Sequence, residues 1–75
     1  MKLGAFLIDC NRCPIGDDTI VRIELFYNEL DRVCVASGRW YQSQILNYVR
    51  RNILEYKVNL VDDIVIILVE GDLIV

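Results

Sequence analysis

Cys10-Asn11-Arg12-Cys13 is the first spacing in the chain that could do chemistry. Two cysteines separated by two residues make either half of a zinc site or a redox pair. A structural zinc site needs four ligands, and this sequence has no histidine and only Cys34 to add, so an aspartate or a second subunit would have to complete the set. A redox pair typically sits where a strand runs into a helix N-terminus, whose dipole lowers the thiol pKa, whereas this one falls at a helix end. The third assignment is Cys10 as a small core residue, Cys13 as an exposed turn residue and Cys34 as a strand residue. We adopt that assignment, so no metal and no cofactor are expected.

The acidic pairs Asp17-Asp18 and Asp62-Asp63 suggest acid–base or metal chemistry at first sight. Adjacent carboxylates in a turn are better explained by local backbone hydrogen bonds, and no loop with ligands at alternating positions surrounds either pair. Without histidine the common general base at neutral pH is missing. The four glycines, Gly4, Gly16, Gly38 and Gly71, are scattered singly and build no phosphate loop. The sequence therefore reads as that of a non-enzymatic protein.

One cluster remains. Arg39, Trp40 and Tyr41 lie within a polar stretch, and Tyr48, Arg50 and Arg51 follow shortly after. Arg, Trp and Tyr dominate interface hot spots because they join a large buried area to directional hydrogen bonds. They also stack bases and contact phosphates. A third role is plain packing of Trp40, Tyr41 and Tyr48 between helix and sheet, with solvated arginines. These six residues are the candidate partner-binding set. A nucleic-acid surface would use Arg39, Arg50, Arg51 and Lys57, but a net charge of −3 argues against a general polyanion binder.

The elements that must position these residues follow from periodicity. Leu3, Phe6, Leu7 and Cys10 share one face of a short helix over residues 2–11, which Pro14 and Gly16 end. Val21, Ile23, Leu25 and Tyr27 alternate with Arg22, Glu24 and Phe26 as in a half-buried strand, residues 28–31 read as a hairpin turn, and residues 32–38 return. The return strand is expected to set Val33 and Val35 on one side, Cys34 and Ala36 on the other. From Trp40 to Asn52 the period turns helical, with Tyr41, Ile45, Tyr48, Val49 and Asn52 on one face. Leu54, Tyr56, Val58 and Leu60 then alternate with Glu55, Lys57 and Asn59, Asp62-Asp63 turns the chain, and residues 64–69 are wholly aliphatic. Such a run implies a strand in the middle of the sheet or one covered on its outer side. Gly71-Asp72 is a further turn signal before an apolar tail. The order α-β-β-α-β-β predicts one α+β domain over residues 1–75, with a four-stranded antiparallel sheet made from two hairpins and two helices on one face.

The sequence has 75 residues, 55% of them hydrophobic. A core this small cannot hide every Ile, Leu and Val, so some apolar surface is expected to face a partner, a second copy of the chain included. No secretory leader is expected, since Asp9 ends the apolar stretch at residues 3–8. The aliphatic run is far shorter than the roughly 20 residues that cross a bilayer. Three cysteines without framework spacing fit a reducing compartment, and the cytoplasm is the expected location.

Three segments together carry a likeness in layout: a helix of the type Lys-Leu-x-x-Phe-Leu at residues 2–7, the strand Asp-Asp-Thr-Ile-Val-Arg-Ile at residues 17–23 and the strand Asp-Ile-Val-Ile-Ile-Leu-Val at residues 63–69. In these the chain resembles small accessory proteins carried by bacteriophages and mobile elements of Gram-positive hosts, anti-CRISPR proteins among them. The resemblance implies a compact inhibitor or regulator of a larger host protein, such as a CRISPR-Cas effector, acting by occluding a surface or holding an assembly inactive. It carries over no individual residue, because these proteins share no site motif.

Overall fold

The computed structural model describes residues 1–9, 15–26 and 32–71. Six elements follow one another: α1 (Leu3–Leu7), β1 (Ile20–Phe26), β2 (Arg32–Gly38), α2 (Ser43–Leu46), β3 (Ile53–Asn59) and β4 (Ile64–Glu70). The predicted element order and the α+β class both hold.

The sheet is mixed, which corrects the expected all-antiparallel arrangement. Its order is β2-β1-β4-β3. Each hairpin is antiparallel, but β1 and β4 meet in parallel, with Val21, Ile23 and Leu25 opposite Val65, Ile67 and Val69. The cause lies in residues 39–52. Gly38 ends β2 beside Val21 at the start of β1, whereas Ile53 opens β3 beside Val69 at the end of β4. The connection thus travels the length of the sheet as well as its width. β3 therefore runs in the direction of β2, and β4 in the direction of β1. This order places the two strands richest in aliphatic side chains at the centre, where both faces can be covered.

One face carries the helices. Leu3, Phe6 and Ile45 close over Val21, Ile23, Leu25, Ala36, Val65, Ile67 and Val69 to make a single buried cluster. At roughly 1.5–3 kcal/mol for each large side chain fully withdrawn from water, that cluster is the main source of stability. On the other face, Arg32 and Glu55 reach toward each other from strands that lie at opposite edges of the sheet, meeting at 2.7 Å. Their side chains and Glu24 line a small hollow over Ile66 and Leu68, and Leu68 is buried. The aliphatic run thus has both a central position and an outer cover.

Local details depart from the period-based reading in three places. β2 contains a bulge, with Ala36 opposite Ile23 but Cys34 opposite Glu24. Val35 is the extra residue, so Ala36 joins the inner side opposite Ile23 while Val35, half-buried, still packs against the core. Both helices are shorter than the periodicity predicts, because the chain leaves the α conformation for tighter turns: after α1 Asp9 donates to the Phe6 carbonyl, and after α2 Tyr48 and Val49 donate to those of Ile45 and Leu46, each three residues back. Of the expected second helix face, Ile45 is buried, Tyr48 and Val49 are half-buried, and Tyr41 and Asn52 are exposed. Finally, Leu60 lies in the β3–β4 turn and is 86% exposed, not part of the strand. The expectations for Cys10, Cys13, Tyr27, the turn at residues 28–31 and the tail at residues 73–75 lie outside the described residues.

Both acidic pairs are in turns. Asn59 organises the β3–β4 turn through its side chain, whose Oδ1 accepts the Val61 and Asp62 N–H groups at 3.0 and 3.1 Å. Asp63 takes a left-handed φ of 53°, which Asp tolerates better than most residues. The Asp63 carbonyl accepts the Ile20 N–H, and its carboxylate accepts the hydroxyl of buried Thr19 at 2.8 Å. The same hydroxyl oxygen accepts the Gly16 N–H at 3.0 Å. One side chain thus fastens the start of β1 to the β3–β4 turn. Thr19→Val keeps the shape and removes both bonds, leaving polar groups short of partners, and is expected to lower unfolding free energy by about 1–3 kcal/mol in urea titration. A change below the error of that titration would contradict this role. No helix among the described residues is long and apolar enough to cross a membrane.

Candidate interaction site

Arg39, Trp40 and Tyr41 leave the sheet at the end of β2. Gly38 has a φ of 157° and the chain then turns, with the Arg39 carbonyl accepting the Gln42 N–H at 3.0 Å. Trp40 and Tyr41 occupy the two central positions of that β-turn, which sets Trp40 against the core and Tyr41 outward. The turn is braced from inside. Gln42 Oε1 accepts the Arg39 N–H at 2.8 Å, and Gln44 Nε2 donates to Gln42 Oε1 at 3.1 Å and to the Ser37 carbonyl at 3.4 Å.

The two rings play different parts. Trp40 is partly buried against the core, and its indole Nε1–H donates to Asp17 Oδ1 at 3.2 Å. Tyr41 packs edge-on against Trp40, with centroids 5.6 Å apart and planes at 88°, and is 49% exposed. Edge-to-face contact is the favourable electrostatic arrangement for two quadrupoles. The Arg39 guanidinium stands 4.0 Å from Asp18, a loose pair in solvent. Asp17 and Asp18, expected only as turn residues, therefore also steady the cluster from the neighbouring strand end. Sequence spacing gave no sign of this, because the contact joins residues more than twenty positions apart.

Tyr48, Arg50 and Arg51 are elsewhere. The Arg51 guanidinium lies 5.6 Å over the Tyr48 ring and donates to the Glu70 carbonyl at 3.0 Å. Glu70 ends β4, at the end of the sheet opposite the Trp40 turn. Arg50 and Arg51 line an open hollow of about 370 Å³ with Asn47, Glu70 and Gly71, where a carboxylate stands among the cations. The backbone here is a junction: Leu3 and Gly4 donate to the Arg51 and Val49 carbonyls, both at 2.9 Å. Tyr48 packs against the core from the side. The six candidate residues thus divide into an outward turn and a packing junction.

The basic residues considered for nucleic acid also separate. Arg39 is at one end of the sheet, Arg50 and Arg51 at the other, and Lys57 on the helix-free face of β3 opposite Ile66. They form no continuous stripe of the kind that tracks a phosphate backbone.

Comparison of the chain with protein-family models, with curated proteins and with solved structures finds no match. Function must therefore be argued from these residues.

No group of three or more His, Cys, Asp or Glu side chains among the described residues is placed to hold a metal ion. Cys34 is exposed on β2, its Sγ 3.7 Å from the Ala36 carbonyl. Cys10 and Cys13 lie outside the described residues. What the Trp40 turn can do is present a rigid, half-exposed aromatic surface with a phenol, an indole edge and a guanidinium at its rim. That is a chemistry of contact.

Proposed function

We propose that the protein is a non-enzymatic protein-interaction domain, an inhibitor or regulator from a phage or mobile element, acting in the bacterial cytoplasm on a larger host protein such as a CRISPR-Cas effector. The observation that carries the binding part is the Arg39–Gln42 turn, which holds Tyr41 half-exposed and edge-on to an anchored Trp40. An aromatic whose rotamer is already fixed loses little entropy on binding, so its buried area converts efficiently into affinity. The inhibitor part is supported by the likeness in layout of residues 2–7, 17–23 and 63–69 to phage accessory proteins.

An interference assay tests the inhibitor part. In a Gram-positive host whose CRISPR-Cas effector destroys a target plasmid, expression of the protein is expected to restore plasmid recovery, and Tyr41→Ala to abolish that protection. Unchanged recovery across the effector classes assayed would count against an anti-CRISPR role.

A further inference from the structure

β3 is an edge strand, hydrogen-bonded to β4 on one side. Six of its seven residues are exposed, among them Leu54 at 49%, Tyr56 at 48% and Val58 at 39%. Exposed edges with apolar side chains invite further pairing, and proteins normally blunt them with charge, proline or a bulge. β2, the other edge, is broken in its middle by the bulge at Val35. On β3 the irregularity lies at Leu54, at the start, and the register from Glu55 to Asn59 is regular. The start of β3 is also occupied along its free edge, where Met1 accepts the Ile53 N–H at 2.8 Å and Lys2 bridges to Asn52. Among the described residues this leaves Leu54 to Val58 open.

We infer that this stretch pairs with its own copy, antiparallel and centred on Tyr56, to make a two-fold dimer with one continuous eight-stranded sheet. Charge complementarity selects this pairing. Leu54-Glu55-Tyr56-Lys57-Val58 is symmetric about its centre in residue class and opposite in the sign of its charges. A two-fold at Tyr56 sets Glu55 of each copy opposite Lys57 of the other, on the helix-free face, and Leu54 opposite Val58. Centring the pair on Glu55 or on Lys57 would oppose like charges. A shift of half a step would set Tyr56 against Lys57 and Glu55 against Val58, and would send apolar side chains to the wrong side. Directly opposed unlike charges stabilise a strand pair and like charges weaken it. Lys57 is exposed and makes no ion pair with another described residue, whereas Glu55 already holds Arg32. The dimer gives Lys57 a partner and completes an Arg32–Glu55–Lys57 row across the junction. Tyr56, tilted at 47° against Phe6 with centroids 5.0 Å apart, meets its symmetry mate on the helix side. An interface of this kind is isologous and closes on itself, so it ends at two chains and builds no fibre. The inference does not rest on the Trp40 turn, which belongs to a different part of the sheet.

Sedimentation equilibrium from micromolar to millimolar concentration tests it. The expected species is a dimer of 8.7 kDa chains. Lys57→Glu opposes like charges at two positions and is expected to raise the dimer dissociation constant at least about tenfold, with the circular dichroism of the fold unchanged. Glu55→Lys is expected to do the same. Mixing the two variants in equal amounts opposes unlike charges again and restores a dimer, now a mixed one. A strict monomer at every concentration, a dimer indifferent to Lys57→Glu, or a mixture that fails to associate would each overturn the proposal.

Discussion

Ile67→Ala is expected to cost about 2–5 kcal/mol, a large part of the stability that so small a protein has. Ile67 is fully buried on β4, between Ile23 on the parallel side and Tyr56 on the antiparallel side. Truncation removes its transfer free energy and leaves a cavity that two central strands cannot collapse into, a combination that costs about 2–5 kcal/mol in well-packed cores. A chain of this length has only about 4–11 kcal/mol to lose. Urea denaturation followed by circular dichroism measures the effect. Ile67→Val, at about 1 kcal/mol, supplies a folded reference if the alanine variant does not fold. Val58→Ala, on the edge strand and 39% exposed, is expected to cost less than about 1 kcal/mol by the area it uncovers. Equal costs at the two positions would contradict a sheet with β4 inside and β3 outside.

Tyr41→Ala is expected to weaken partner binding by at least about thirtyfold, the effect of an interface hot spot of about 2 kcal/mol, while leaving the fold intact. The separation of effects follows from burial. Tyr41 is half-exposed, and the hydrogen bonds that shape its turn come from Gln42 and Gln44. Trp40→Ala would confuse the two readouts, because Trp40 packs on the core and its N–H is held by Asp17. Trp40→Phe retains most of the packing and removes only that bond, so it should loosen the Tyr41 contact with a smaller loss of affinity. Titration calorimetry with the captured partner separates these cases. Undiminished affinity of Tyr41→Ala would move the binding surface away from this turn.

Strands were more legible in the sequence than helices, for a physical reason. The alternation of Val21, Ile23 and Leu25 and the aliphatic run of β4 arise from burial, which acts the same way wherever the strand lies in the sheet. The parallel pairing of β1 with β4 left no such mark. It depends on how far residues 39–52 travel, and a helical period over those residues does not distinguish a long helix from one short helix flanked by turns. The bulge in β2 likewise brought Ala36 to the inner side while Val35 kept its contact with the core, without altering the pattern of residue types. In the candidate site, residue types singled out Arg39, Trp40 and Tyr41. Grouping them with Tyr48, Arg50 and Arg51 failed, because nearness along the chain became distance once the connection ran from one end of the sheet to the other. Thr19 and Gln42, which fasten the site's surroundings, have no signature short of the contacts they make.

Binding of another protein through the Trp40–Tyr41 turn is the function proposed for this domain. Affinity capture from a Gram-positive host lysate, run side by side with native protein and with Tyr41→Ala, tests that claim most directly. A protein recovered in stoichiometric amount with the native domain and lost with Tyr41→Ala is the predicted result, and recovery of no partner, or of the same partner in equal amount with the variant, would contradict it.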